Sequence, residues 1–247
     1  MKLFGLIGYP LEHSSSPILF KNKCERENIP DADYRLFPLK EITELPRLVA
    51  DFPNLTGFNV TSPYKQAILP YLTRTDIAAT TIGAVNTVNV VQEHGRTSLH
   101  GYNTDYIGFA ESLMEVLPRM PRRALILGTG GAARAVRYAL TGMHCSVTTV
   151  SRTNGKGDLT YSELTAEIVS NHLLVVNATP LGMFPDTERC PDFPYGLLTH
   201  KHFLFDLIYN PKETEFLRQG RLHGTGTCNG LAMLHHQAEA TYKIWGL

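Results

Sequence analysis

The sequence has no surplus of charge of either sign: Lys and Arg total 23, Asp and Glu total 23, and the formal net charge is zero. A protein that holds nucleic acid through a general positive field is not expected from such a balance. No apolar stretch is long enough to span a bilayer, so no membrane partner is expected either. The opening residues 1–8 are apolar over too short a run for a secretory signal, and no cleavage pattern follows. Cysteine is scarce and dispersed, at Cys24, Cys145, Cys190 and Cys228. Without a C-x-x-C pair or dense spacing, neither a zinc cage nor a disulfide frame is expected. Reduced thiols and a cytoplasmic location are the expectation, with no metal. Internal repeats, low-complexity tracts and long charged tails are also lacking.

What is present is ordinary globular material: 247 residues, 43% of them hydrophobic, enough for one large domain or two modest ones. Strand-like and helix-like segments alternate. Residues 3–8, 34–39 and 55–60 read as strands, with helices over 15–27 and, despite Pro46, 42–50. Residues 84–91 and 97–101 read as strands across the turn Glu93-His94-Gly95. A helix over 106–117 and the punctuation of Pro118 and Pro121 lead to a second series. There, strands over 123–127, 146–150, 173–178 and 203–208 alternate with helices, and a last helix covers 231–245. Such alternation predicts α/β architecture with mainly parallel sheets.

One turn carries a full mechanism. Gly128-Thr129-Gly130-Gly131-Ala132-Ala133 follows a strand and opens a helix. Gly128 permits the tight turn, Gly130 lets backbone approach a pyrophosphate, and Ala133 allows close helix–strand packing. The helix start then offers unpaired N–H groups to phosphate. The next strand ends Ser151-Arg152-Thr153, with Lys156 nearby. An NAD site usually places a carboxylate there, but no acid occurs before Asp158. A guanidinium suits a 2′-phosphate, so NADP(H) is expected, with Arg152 and Thr153 as phosphate contacts and Lys156 beside them.

The first half places polar residues at strand ends, where open α/β sheets hold ligands. Ser14, Ser15 and Ser16 precede a helix, where hydroxyls cap it or bind a carboxylate. Thr61 and Lys65 follow the third strand. Asn86 sits in an apolar run, and a buried amide needs partners. Asp105, in Asn103-Thr104-Asp105, either caps the following helix or serves a ligand.

These residues fall in one order with Asn59-Val60-Thr61-Ser62-Pro63-Tyr64-Lys65, Gly83-Ala84-Val85-Asn86-Thr87, Asn177-Ala178-Thr179-Pro180-Leu181-Gly182-Met183 and Asn229-Gly230-Leu231-Ala232-Met233-Leu234. From residue 3 to 245 the chain resembles the shikimate dehydrogenase family, which reduces 3-dehydroshikimate to shikimate with NADPH in aromatic amino-acid biosynthesis. The resemblance implies an N-terminal α/β substrate domain, residues 1–102 with 230–247, and a Rossmann NADP-binding domain, residues 103–229. The last helix would return to the substrate domain. It implies that Ser14 and Ser16 hold the substrate carboxylate, with Tyr209 at that end. Thr61, Asn86, Asp105 and Gln237 would bind ring hydroxyls, and Lys65 would be the acid/base paired with Asp105. Gly128, Thr129, Gly130, Gly131, Ala132, Ser151, Arg152, Thr153 and Lys156 would hold the cofactor, with Leu207 and Gly230 lining the nicotinamide pocket. Three departures stand out: Ser151 replaces the family's usual Asn, Asn229 its usual Asp, and His235-His236 precede Gln237 where smaller or apolar residues are usual. Adjacent helix positions face different sides, so the His pair is not read as a metal site. A quinate/shikimate dehydrogenase of relaxed specificity and a catalytically silent binding module are the alternatives. A monomer or homodimer acting on a small molecule is expected.

Overall fold

The computed structural model describes every residue of the chain except residue 13. The chain divides into two compact units, Met1–Thr104 with Gln237–Leu247, and Asp105–His236. The lines therefore fall at 104/105 and 236/237, a few residues from the family-implied limits, and the second cuts through the last helix.

The first unit begins with β1 (Lys2–Gly8), α1 (Ser16–Glu27), β2 (Ala32–Pro38), α2 (Leu45–Asp51) and β3 (Leu55–Val60). It continues through α3 (Tyr64–Ala67), β4 (Arg74–Thr75), α4 (Ile77–Ile82), β5 (Thr87–Glu93) and β6 (Arg96–Tyr102). Pro46 occupies the first turn of α2, where its missing N–H costs nothing, with a 3-10 turn over Ile42–Glu44 in front of it. The strand order is β2-β1-β3-β5-β6-β4. The sheet is mainly parallel, in its β1–β2, β1–β3 and β4–β6 pairings, but β5 runs antiparallel to both β3 and β6. The cause is local: His94 and Gly95 both take positive φ, which closes a two-residue hairpin. Three short elements, α3, β4 and α4, escaped the sequence reading, being too brief for a period to register. One core of Leu3, Ile7, Phe58, Val60, Ile68, Val85 and Val88 fills one face of the sheet. On the other, Phe4 and Phe20 pack with Tyr242 and Trp245 of the last helix.

The second unit comprises α5 (Asp105–Val116), β7 (Arg123–Leu127), α6 (Gly131–Gly142), β8 (Ser146–Ser151), β9 (Leu159–Thr160), α7 (Ala166–Asn171) and β10 (Leu174–Asn177). It ends with β11 (Phe203–Asp206), α8 (Glu215–Leu222), β12 (Gly226–Cys228) and the first turns of α9 (Leu231–Trp245). All five strand pairings are parallel, in the order β12-β11-β10-β7-β8-β9. Numbered within the unit, this is the 3-2-1-4-5-6 order of dinucleotide-binding sheets, which reverses between β7 and β10. Strands β7 and β10 carry Leu125, Ile126, Val175 and Val176, all inaccessible to solvent, as an all-parallel sheet covered on both faces requires.

Candidate active site

The first unit gathers its polar residues into one connected network. Asn86 lies just before β5 rather than within it, and is buried. Its Oδ1 accepts the Thr104 backbone N–H at 2.7 Å, and its Nδ2 donates to Thr104 Oγ1 at 2.9 Å and Gln237 Oε1 at 3.4 Å. Thr241, one helical turn beyond Gln237, has its hydroxyl 2.8 Å from that of Thr87 and 3.1 Å from that of Thr104. Asn59 extends the network by donating to Asn86 O, and its Oδ1 accepts the Tyr34 hydroxyl at 2.9 Å. Burial pushes the Tyr34 hydroxyl pKa well up, against a hydrogen bond with Ser16 that pulls it down. So a line of hydrogen bonds runs from Ser16 to Gln237.

Thr61 and Lys65 follow β3 and are tied to neighbouring strand ends through their backbone. The Thr61 N–H donates to Ile7 O at 2.9 Å, and the Lys65 carbonyl accepts from Val85 N at 2.7 Å, one residue from Asn86. Ser15 takes the N-cap position of α1 without making a side-chain cap; Ser14 Oγ accepts the Ser16 N–H at 3.3 Å. Asp105 is the first residue of α5 and is 5% exposed. Sequence reading missed Tyr34, Asn59, Thr87, Thr104 and Thr241. Asn59, Thr87 and Thr104 stood inside the quoted motifs, but Tyr34 and Thr241 carry no local signal.

In the second unit the glycine turn sits at the sheet's reversal point. Gly128 has φ +113°, and a Cβ there would lie 3.1 Å from the Ala178 carbonyl oxygen at the end of β10. Gly130 is the N-cap of α6, with no side-chain cap, and a Cβ on it would meet nothing within 4 Å. Gly131 and Ala132 follow in the first turn. Open space before uncapped helix amides fits a pyrophosphate. Ala133 is 1% exposed, packed between helix and sheet. Thr129 is half-buried between the two glycines.

The end of β8 is free of acid. Asp158 turns back onto the strand, accepting the Thr149 N–H and hydroxyl, each at 2.7 Å, with Arg137 at 3.5 Å. Arg152, Thr153 and Lys156 are exposed, and Ser151 Oγ accepts the Thr153 N–H at 3.1 Å. Ser151 therefore shapes this loop from beneath while Arg152 stays exposed at its surface. Burial pushes the Tyr161 hydroxyl up to about 12, and the Arg152 guanidinium works against that rise.

Leu207, Tyr209 and Gly230 converge on a third loop. The Gly230 N–H donates to Ile208 O at 3.0 Å, and a Cβ on Gly230 would run into the Leu207 carbonyl. Asn229 donates to Lys212 O and accepts the Leu231 N–H, starting α9. At the root of this loop lies Asp206, fully buried. Burial pushes its carboxyl up to about 6, against hydrogen bonds from Thr214, Ile208 N and Asn177 that hold it down. His236 has Nδ1 3.0 Å from Glu111 and Nε2 2.8 Å from Glu115, both on α5. Among the described residues no cluster of three or more His, Cys, Asp or Glu is placed to hold a metal.

A reversed parallel sheet, a glycine turn opening a helix, and a cationic strand end beside it define a dinucleotide-binding protein. The comparisons with known proteins make the class specific. Residues 6–88 match the shikimate dehydrogenase substrate binding domain. The shikimate dehydrogenase (NADP(+)) of Desulforamulus reducens is 38% identical over 98% of this chain and 88% of its own. That of Methanococcus maripaludis strain C6 is 37% identical over 99% and 91%. The shikimate 5-dehydrogenase of Thermus thermophilus, solved with NADP(H) and shikimate, superposes with TM-score 0.88 at 32% identity, over 100% of this chain and 94% of that one. The chain belongs to the shikimate dehydrogenase family.

Proposed function

We propose that this protein catalyses the reversible, NADP-dependent reduction of 3-dehydroshikimate to shikimate, a step of aromatic amino-acid biosynthesis. The observation that carries this reading is the network joining Asn86, Thr104 and Gln237 at the strand ends of the first unit. Its donors and acceptors suit a ring bearing several hydroxyls, and its members come from segments far apart in the chain. The residues of the second unit that fit the cofactor are Gly128 to Ala132, Arg152, Thr153 and Lys156, with Ser151 shaping their loop and Leu207 and Gly230 at the nicotinamide end.

When bound, NADPH supplies the hydride. Negative charge then grows on the carbonyl oxygen, which needs a donor that stabilises it and delivers a proton. Lys65 fills that role, on a short helix whose backbone is tied to Val85. Asp105, which follows the Asn86-anchored Thr104, orients the ammonium and accepts from a ring hydroxyl. Thr61, Asn86 and Gln237 hold hydroxyls, and Ser14, Ser16 and Tyr209 take the carboxylate end. We assign residues 1–102 with 230–247 to substrate binding and 103–229 to the cofactor.

The four cysteines are free thiols, which suits a cytoplasmic enzyme. No helix among the described residues is long and apolar enough to cross a membrane. The zero net charge suits an enzyme of a small molecule without nucleic-acid partners, and we assign it as a monomer or homodimer.

The test follows absorbance at the NADPH band with shikimate or quinate, each with NADP or NAD. Turnover with shikimate and NADP, and little with the other three pairs, is expected. Equal turnover of quinate assigns a relaxed dehydrogenase, and no turnover with any pair overturns the enzymatic reading.

A further inference from the structure

We propose that Asp206 is the positioning residue of the cofactor half of the site, one carboxylate that sets the form of the two strand-end loops receiving the nicotinamide. The inference rests on the dehydrogenase reading above for what the loops receive, but not for how they are held.

Strands β10 and β11 pair in register up to Asn177 opposite Asp206, both wholly buried. Beyond that pair one last inter-strand bond forms on each strand, Ala178 N–H to Leu127 O and Leu207 N–H to Asn177 O, and the chain then leaves the sheet in two loops, residues 178–183 and 207–214. The carboxylate takes over. Oδ1 accepts the Ile208 N–H at 3.0 Å and Asn177 Nδ2 at 3.1 Å, while Oδ2 accepts the Thr214 hydroxyl at 2.6 Å. Ile208 and Thr214 stand near the two ends of one loop, so that loop is closed onto a single group. Asn177 carries the constraint to the other: its Oδ1 accepts the Thr179 N–H at 3.0 Å and hydroxyl at 2.7 Å. The loops also meet directly. Gly182, at φ +96°, leaves only 3.3 Å between an added Cβ and Thr214 Cβ. Ile208 O in turn accepts Gly230 N–H, and Leu207 N–H donates to Asn177 O.

Three neutral donors converge on an acceptor-only group, and no cation is among them. Tyr195 is the other titratable side chain whose pKa this carboxylate affects, and its own hydroxyl is engaged by Pro191 O. A buried carboxylate held by neutral groups is an expensive way to fill space. What it accomplishes is geometric: it fixes Leu207 and Tyr209 from below, and Gly230 through Ile208.

The experiment uses the full chain with Asp206→Ala, Asp206→Asn and Thr214→Val, read by backbone hydrogen exchange and by steady-state kinetics. For Asp206→Ala, exchange in residues 178–183 and 207–214 should quicken about tenfold or more, with β7 and β8 still protected. KM for NADP should rise about tenfold and kcat fall, while KM for shikimate rises less, about threefold, through the loosened Tyr209. Asp206→Asn keeps Oδ1 for Ile208 and Asn177 and can donate to Thr214, so it should restore most of both. Thr214→Val should quicken exchange in 207–214 alone and raise KM for NADP severalfold. Exchange and KM for NADP within about twofold of wild type, in Asp206→Ala or, if that chain does not fold, in Thr214→Val, overturn the proposal. So does faster exchange with unchanged KM and kcat. Absence of turnover in the wild type is a separate failure, of the dehydrogenase reading, and the exchange comparison still decides whether Asp206 orders the loops.

Discussion

At the scale of single residues, the sharpest expectations fall on Lys65 and Arg152. Removing a proton donor from a ketone reduction costs roughly 100- to 10,000-fold in rate. Lys65→Ala should therefore lose kcat on that scale with KM for shikimate little changed; near-normal kcat with a large rise in KM would make Lys65 a binding group only. A charged hydrogen bond to phosphate is worth about 1.5–3 kcal/mol. Arg152→Ala should accordingly weaken NADP by roughly tenfold or more and leave the NAD kinetics alone, and equal losses with both cofactors would remove Arg152 from the phosphate site. Both expectations come from contiguous motifs at strand ends. Tyr34 and Thr241 were not legible in the sequence. Each acquires its place only when distant chain segments meet, Tyr34 at Asn59 and Thr241 at Thr87. The Asp158 carboxylate could be counted in the sequence, but only folding shows it turned back onto Thr149.

At the scale of elements, the long strands and helices were readable, while α8, whose eight residues lie between loops, and the shortest strands were not. The two-residue strands β4 and β9 are specified by their neighbours rather than by their own pattern. Helix α9 shows how tightly an element can be seated. The indole of Trp245, the only tryptophan in the chain, stacks on Phe4 with centroids 4.7 Å apart and donates to Val88 O at 3.0 Å. It lies directly over Gly57, where any Cβ would collide with the ring. Gly57→Ala should thus destabilise the first unit by about 1–3 kcal/mol through overpacking. Denaturant unfolding followed by tryptophan emission measures both the loss and the displaced indole. An unchanged midpoint would mean that the indole shifts without cost.

At the scale of the whole molecule, Asp206 makes stability depend on pH with an uncommon sign. Its carboxyl is raised from 3.8 in the unfolded chain to about 6 in the folded one, chiefly by burial. Between these values the folded state holds a proton that the unfolded state has released, so this group's contribution falls as pH rises from about 4 to about 6. Above pH 6 the cost is on the order of 3 kcal/mol. Asp206→Asn, which cannot ionise, should be more stable than wild type at pH 7 and lose that advantage towards pH 4. Chemical denaturation at several pH values gives the difference directly, and parallel curves for the two proteins would mean that Asp206 titrates normally.

The return of residues 237–247 to the first unit has a consequence for how the chain is made. A ribosome delivers Phe4 and Phe20 first, but Tyr242 and Trp245, which complete their cluster, come last. Roughly 130 residues of the second unit intervene, which at typical elongation rates is on the order of ten seconds. For that interval the nascent chain carries an aromatic face with nothing of its own to cover it. A ribosome stalled before residue 237 should hold a first unit that proteases cut readily and chaperones bind, beside a second unit already resistant.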